Sequence, residues 1–372
     1  MARHHIDKWL KSFLKQIFFV VGRNSPYKLE DFVTVLLDAA EHEDFTNNTC
    51  NRLEGPTGET VFSRLKEADF DKISKAFTNE LTNMLHLIKR LLRNRKVALA
   101  FDTTDEPYYG KLEGLWIHPH GPVRGSTGCF RFISVSIVDR EHKFLLGSLP
   151  VRVGANVVKL VSELIRTAKQ FVKPEAFLFD RGFDSYELVA ELQKLGVKYQ
   201  LLWKKTGWTT KLLKKMKRGQ IREASFTRKY SRNKSTFKVK IRFVLIKKYK
   251  RYGKGRAYDW VFCTNTRHKF PHYYVDKYRK RWGIETAFRV LDNVTIKTTT
   301  KNEVIRYFIN AFCCLVYNLW KLNNLLSTPS SLKNFVCKVT AELKLSIHSE
   351  AATKPPDTAE FSRSTSVCTA SN

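Results

Sequence analysis

The sequence predicts an α/β protein whose central sheet is preceded and followed by helical regions. Three observations support this prediction. Apolar residues recur with helical spacing through residues 1–95. From Val97 the pattern changes to short, wholly apolar runs, which are typical of buried strands. After residue 265 the helical spacing returns.

Residues 1–95 are predicted to form several short helices, with Trp9 and Phe13 among the residues at helical spacing. Short helices joined by turns would suit a helix-turn-helix that contacts DNA. Acidic residues such as Glu41 and Glu43 argue instead for plain helical packing. Both interpretations are kept for this region.

Residues 96–203 are predicted to form the core of the protein. The predicted elements are strands at 97–101, 129–138 and 144–153, a helix at 156–172, a strand at 176–179, a helix at 185–195 and a strand at 197–203. Residues 103–110 are predicted to be a loop because they contain Pro107 and Gly110. Three strands followed by helix, strand, helix and strand is the element order of an RNase H-like domain.

Residues 204–265 are predicted to form a β-rich basic insertion. Residues 204–256 contain 21 Lys or Arg residues and a single acid, Glu223. Residues 237–246 alternate cations with apolar side chains, as in a strand with one solvated face. Aromatic residues between the cations suit nucleic acid, since unpaired bases stack on rings and phosphates attract cations. A charged surface without a ligand is the alternative.

Residues 266–345 are predicted to be helical, and residues 346–372 to be a disordered tail because they lack apolar periodicity. The longest apolar stretch, residues 308–320, is too short to span a bilayer, so a buried helix and no membrane contact are expected. Seven cysteines have neither zinc-ribbon spacing nor the density of a secreted disulfide framework. They predict a reduced, intracellular protein.

The overall charge points to a polyanionic partner. The chain has 66 Lys and Arg residues against 35 Asp and Glu residues, a net charge of +31 and a pI near 9.9. An enzyme acting on ordinary small molecules has little use for such self-repulsion. Nucleic acid is therefore the expected partner.

Two predicted core strands end in an aspartate, namely Asp102 and Asp180. A third acid, Glu285, lies in a later predicted helix. Three carboxylates brought together in this way suit two Mg²⁺ or Mn²⁺ ions, which activate a water or a 3′-hydroxyl and stabilise the leaving oxygen at a phosphodiester.

Each of these acids has a structural alternative. Asp102 could cap the loop that follows it, and Asp180 could pair with its neighbouring arginine. Asp184 competes with Asp180 for the second position but suits the start of the next helix better. Asp105 and Glu106 are expected to be solvated or capping residues rather than catalytic ones.

The predicted helix around Glu285 places an acid, cations and a phenol within a wedge of about 80°. The residues on this face are Tyr278, Arg281, Glu285, Arg289 and Asp292. Such a face suits a metal ion held beside phosphates, whereas a paired surface glutamate is the alternative. Gly283 disfavours an unbroken helix here by about 1 kcal/mol relative to alanine, and a close approach of DNA backbone is one use for it.

Three segments resemble the signature regions of DDE transposases of prokaryotic insertion sequences, in the insertion sequence 4-like branch. They are residues 101–104 (FDTT), 179–183 (FDRGF) and 278–285 (YRKRWGIE). The resemblance implies that Asp102, Asp180 and Glu285 are the catalytic residues and hold two Mg²⁺ or Mn²⁺ ions in each active site.

The resemblance also implies contacts with DNA. Tyr278 and Arg281 would hold a phosphate at the transposon end. Asp292 stands where the family has a lysine, and Arg289 is the candidate to supply the missing charge. An aromatic residue near the insertion would hold a flipped base. Trp203 and Trp208 are the candidates, and core packing is favoured for Trp203. The cations expected to contact DNA are Lys214, Lys215, Lys217 and Arg218.

The predicted function is that of a transposase that cuts DNA at transposon ends and joins the 3′-hydroxyl to target DNA. It is expected to act as a homodimer on DNA, in the cytoplasm and associated with the nucleoid. A structure-specific nuclease of the same fold would cut without joining. A transposase-derived DNA-binding protein without catalysis is the third hypothesis.

Overall fold

The computed structural model describes residues 4–18, 25–53, 55–92, 95–139, 142–232, 235–249 and 257–352 of the 372-residue chain. Its strands are β1 (Val97–Tyr108), β2 (Ile117–His118), β3 (Gly128–Ile137), β4 (Leu145–Val151), β5 (Pro174–Phe179), β6 (Tyr199–Leu202), β7 (Ile221–Arg232), β8 (Ser235–Tyr249) and β9 (Tyr258–Thr264). Its helices are α1 (His4–Ile17), α2 (Leu29–Glu41), α3 (Thr46–Leu53), α4 (Gly58–Ser63), α5 (Phe70–Leu92), α6 (Val157–Phe171), α7 (Tyr186–Lys194), α8 (Gly207–Lys214), α9 (Pro271–Arg279), α10 (Trp282–Leu291), α11 (Glu303–Leu326) and α12 (Leu332–Ala352).

The nine strands form one mixed sheet. In its middle, β1, β5 and β6 run parallel. On one side β3 pairs antiparallel with β1, and β2 and β4 pair with the other edge of β3. On the other side β9, β8 and β7 follow β6 in antiparallel order. This arrangement is RNase H-like and confirms the predicted fold class.

The basic segment is continuous with the central sheet. Strand β9 pairs directly with the core strand β6, with Gln200 opposite Thr264, and β8 pairs with β9. The long β7–β8 hairpin then forms the end of the sheet. The segment begins with the helix α8, which the sequence pattern did not predict.

The structure corrects two predictions about element boundaries. The expected loop at 103–110 is strand as far as Tyr108, because β1 keeps its antiparallel pairing with β3 along this length. Pro107 is tolerated there because the pairing of β1 with β5 has already ended at Ala100. At the other end of the chain, residues 346–352 belong to α12 rather than to a disordered tail. Residues 353–372 lie outside the described residues.

The N-terminal helices pack against the C-terminal helices and share their core. Phe13 of α1 stacks on Phe308 of α11, with ring centroids 6.0 Å apart. Asp38 of α2 has a buried carboxylate that accepts a hydrogen bond from Lys344 of α12 at 3.0 Å. Plain helical packing is therefore present in this region. Contact of these helices with DNA stays a prediction.

The apolar stretch at 308–320 is a buried part of α11, as predicted. Its Asn318 side chain accepts a hydrogen bond from the Leu145 amide at 2.9 Å and donates one to the Leu145 carbonyl at 2.8 Å. The asparagine thus satisfies backbone groups of β4 that would otherwise be buried without partners. In the part of the chain that the structure describes, no helix is long and apolar enough to cross a membrane.

Candidate active site

The two aspartates lie at matching positions because their strands are parallel neighbours. Strand β1 pairs with β5 up to the Ala100–Leu178 pair, and the aspartates follow two residues later on each chain segment. Since side chains alternate between the faces of a strand, Asp102 shares a face of β1 with Ala98 and Ala100. The spacing of two thus directs Asp102 towards the helix that covers this face.

That helix is α10. Its Ile284 belongs to a buried cluster with Ala98 and Ala100, and the small alanines leave room for the helix close to β1. A Cβ atom added to Gly283 would lie 3.2 Å from Val138, just beyond the end of β3. The glycine therefore permits the close packing of α10 on the sheet. From the sequence, Gly283 was expected to allow a close approach of DNA backbone instead.

An arginine joins two of the three acids. Arg281 donates a hydrogen bond to Asp102 Oδ2 at 2.9 Å and a second one to Glu285 Oε1. The arginine is only 6% exposed, and its Nε atom has no hydrogen-bond partner. Asp102 and Glu285 therefore face one shared cation.

The third acid stands beside this pair. Asp180 precedes a short 3-10 turn, and its Oδ1 atom accepts a hydrogen bond from the Gly182 amide at 2.8 Å. This leaves its second carboxylate oxygen available to a ligand. The competing residue, Asp184, instead forms an ion pair with Lys204 at 3.2 Å, and Ser185 caps the helix α7.

The electrostatics of Asp102 indicate that the three carboxylates act on one another. Burial raises the pKa of Asp102 to about 6, against the opposing effect of the Arg281 charge. The negative charges of Asp180 and Glu285 raise this pKa further. A cation beside Asp102 would therefore favour its ionised form.

The donor set of the site fits a hard divalent cation. Asp102, Asp180 and Glu285 offer carboxylate oxygens, which Mg²⁺ and Mn²⁺ prefer. As the side chains stand, no three His, Cys, Asp or Glu residues within the described ranges are grouped closely enough to hold a metal ion. Instead, the Arg281 guanidinium hydrogen-bonds both Asp102 and Glu285.

The helical face predicted from the sequence forms in part, since the Arg281 guanidinium lies 5.6 Å from the centroid of the Tyr278 ring and hydrogen-bonds Glu285. Helix α9 ends at Arg279 and α10 begins at Trp282, and the junction is closed by tighter bonds such as that from the Arg281 amide to the Tyr278 carbonyl at 2.9 Å. Tyr278 is 3% exposed and packs among the aromatic rings of β9. Its burial raises its pKa.

The last three residues of the predicted face, Glu285, Arg289 and Asp292, are exposed overall. The carboxylate of Asp292 is nevertheless partly buried. This burial and the nearby charge of Glu43 raise the pKa of Asp292. Of the proposed phosphate contacts, Arg289 is thus accessible in this conformation, whereas Tyr278 is covered.

Asp105 and Glu106 form ion pairs with arginines. From the sequence they were expected to be solvated or capping residues, so this expectation is corrected. Asp105 accepts two hydrogen bonds from Arg131, at 2.7 and 2.8 Å. Glu106 accepts one from the buried Arg306 at 3.0 Å. The sequence pattern missed both partners, because they come from distant elements.

The proposed DNA contacts of the insertion differ in their accessibility. Trp203 is buried against Phe243, with ring centroids 5.2 Å apart, so it is a core residue. Trp208 is half-buried and packs edge-on against Phe226 and Phe243. By contrast, four cations at the end of α8 and in the turn before β7 are exposed. They are Lys214, Lys215, Lys217 and Arg218.

Comparison with known proteins places the chain among transposases. The sequence matches the family described as the transposase DDE domain over residues 134–319, which is half of the chain. Asp180 and Glu285 lie inside this segment and Asp102 lies before it. The comparison with curated proteins found no significant match.

A similar fold is found among solved structures. The piggyBac transposase, determined by cryo-EM as a synaptic complex with hairpin DNA, superimposes with a TM-score of 0.58. The sequence identity is 12%, and the match covers 95% of this chain and 82% of that chain. At this identity the likeness concerns the fold.

Proposed function

Because the chain belongs to the transposase DDE domain family, we propose that it cuts DNA at the ends of its own mobile element and joins the freed 3′-hydroxyl to target DNA. The observation that carries this proposal is that Arg281 joins Asp102 to Glu285, while Asp180 lies at the matching position beyond the neighbouring parallel strand. The charge of the protein supports DNA as the substrate.

Divalent metal ions are the general cofactors of DDE transposases. We propose that Asp102, Asp180 and Glu285 hold two Mg²⁺ or Mn²⁺ ions here. When bound, such ions activate the attacking water or hydroxyl and stabilise the leaving oxygen. The protein's contribution is to fix three carboxylates on rigid elements, with Asp102 and Asp180 on neighbouring parallel strands and Glu285 on a helix packed against them.

Arg281 has a second role in this proposal. If Asp102 and Glu285 held metal ions, the Arg281 guanidinium would be available to bind the phosphate that the site receives. Its unpartnered Nε atom supports this role, because the arginine retains an unused donor inside a buried site. Arg289, exposed one turn after Glu285, would supply the charge that the family's lysine provides.

The proposed branch within the transposase family rests on the sequence motifs around the three acids. The segments around Asp102, Asp180 and Glu285 support placement in the insertion sequence 4-like branch, and so does the basic insertion between the second and third acids. We propose two copies acting on paired element ends, since the structurally similar piggyBac transposase is a synaptic complex. Action on chromosomal DNA would place the protein at the nucleoid.

The test is strand cleavage and joining on a labelled duplex that carries the element's own end. Wild-type protein is expected to cut and join this duplex with Mn²⁺ and to do neither when EDTA is added. Cleavage without joining would support a structure-specific nuclease instead. Binding with no chemistry in any divalent metal would contradict the proposal and favour a DNA-binding protein.

The exposed cations at the end of α8 are expected to contact DNA phosphates. Replacing either the Lys214 and Lys215 pair or the Lys217 and Arg218 pair by glutamine should weaken binding at low salt. Each pair should flatten the slope of log affinity against log salt concentration by about two units, because each phosphate contact contributes nearly one. Mobility-shift titrations over a range of salt concentrations measure this slope.

The matched control for this prediction is a pair of lysines on another helix. Lys333 and Lys338 are exposed on α12, so their replacement by glutamine removes the same charge from a different surface. The control pair is expected to leave the slope unchanged. Equal slopes for all the variants would mean that the end of α8 does not contact DNA.

A further inference from the structure

A group of aromatic side chains at the start of α9 is exposed to solvent. We call Phe270, His272 and Tyr273 the aromatic platform. Phe270 is 47% exposed and Tyr273 is 51% exposed. The rings contact one another, with centroids 5.7 Å apart for Phe270 and His272 and 4.2 Å apart for His272 and Tyr273. The platform thus presents contiguous ring surface that the fold itself leaves uncovered.

Cations surround the platform. Lys269 lies over the ring of Phe270, with its Nζ atom 5.5 Å from the centroid. Arg267 and Lys198 are exposed nearby. Two acids of this region are paired, Glu175 with Lys277 at 2.8 Å and Glu223 with Arg242. Asp276 on α9 is a third acid, and with Arg267, Lys269 and Lys198 the cations of the surface outnumber its acids.

The β7–β8 hairpin extends this surface. Arg242 of β8 donates hydrogen bonds to the Thr266 carbonyl and to the Tyr274 hydroxyl, which lie next to the platform. Residues two apart share this face of the hairpin, and Lys240 and Lys238 follow Arg242 along it. Lys238 stands opposite Lys229, so two like charges are paired across the strands. A polyanion would relieve their repulsion.

The platform lies at the edge of the sheet opposite the catalytic acids. Strand β9 ends at Thr264, which pairs with the start of β6, whereas Asp102 lies just past the parallel pairing of β1 with β5 and Asp180 follows the carboxyl end of β5. The nine residues of α9 span about 13 Å between the platform and the Arg281 junction. The platform is therefore separate from the active site.

We propose that the aromatic platform binds unpaired bases of single-stranded DNA, with Arg267, Lys269 and the hairpin lysines holding its phosphates. Every base offers a flat face that stacks on an exposed ring, and this face is accessible only when the base is not paired. A duplex would engage the cations but not the rings. This site goes beyond the proposed cleavage function, since it requires neither the catalytic acids nor a metal ion.

The experiment compares a labelled oligothymidylate with a duplex of equal length by fluorescence anisotropy in EDTA. The double variant Phe270→Ala with Tyr273→Ala is expected to bind the single strand about tenfold more weakly, or worse, and the duplex within about twofold of wild type. Tyr109→Ala is the matched control, since Tyr109 is an aromatic residue outside the platform. It directly follows β1 and is 65% exposed. It should leave single-strand binding unchanged.

Two further measurements test the proposal even if the double variant does not fold. Arg267→Gln with Lys269→Gln should flatten the salt dependence of single-strand binding. Single strands containing 5-iododeoxyuridine should crosslink to residues 267–273 on irradiation. Unchanged single-strand affinity in the double variant, an equal loss on duplex, or crosslinks confined to other segments would each overturn it. None of these readouts depends on cleavage, so failure here is distinguishable from failure of the transposase assignment.

Discussion

Replacing Glu285 by glutamine is expected to lower the rate of both DNA cleavage and joining by about 10³-fold or more. The substitution keeps the shape of the side chain and removes the negative charge that a divalent ion requires. Because Glu285 is exposed and its helix is held by Ile284, the fold should be retained. DNA binding should therefore remain close to that of wild type, which a mobility-shift assay on the same duplex measures.

The same loss is expected for Asp102→Asn and Asp180→Asn. Asp184→Asn provides the matched control, since Asp184 is the neighbouring acid but forms an ion pair with Lys204. It is expected to cut and join normally. If Asp184→Asn abolished the chemistry while Asp180→Asn preserved it, the second ligand would have been assigned to the wrong aspartate. Normal cleavage by Glu285→Gln would refute the whole site.

The positions of the acids could be predicted because they depend on local patterns. A wholly apolar run marks a buried strand, and the acid after each run lies two residues past the last β1–β5 pair, as Asp102 and Asp180 do. The alternation of Ala98, Ala100 and Asp102 also indicates that the acid faces a closely packed helix.

Features that depend on distant partners could not be predicted in the same way. The helix expected around Glu285 is divided by a tight turn before Trp282, and Tyr278, before that turn, packs into the aromatic core of β9. Strand β1 continues past its expected end because β3 supplies hydrogen bonds there. The bridge from Arg281 to Asp102 joins residues 179 positions apart, and no spacing rule relates them.

The metal-free protein is expected to lose stability as the pH rises from 4 to 7, relative to the Asp102→Asn variant. Below about pH 3 the Asp102 carboxyl is mostly neutral in both the folded and the unfolded chain. Between pH 4 and 6 it ionises in the unfolded chain but stays protonated in the folded one, because burial raises its folded pKa from 3.8 to about 6. Ionisation in this range therefore favours unfolding, and the cost reaches about 3 kcal/mol above pH 6.

Denaturation in EDTA at a series of pH values measures this effect as the difference in the free energy of unfolding between the two proteins. Asparagine cannot ionise, so the variant reports the pH dependence of all the other groups, and Asp184→Asn should follow the wild-type curve. A difference that stays constant from pH 4 to 7 would contradict a buried Asp102. At pH 7, Mn²⁺ should stabilise the wild type more than the asparagine variant, since a cation bound by the ionised carboxylate offsets the cost of burying it.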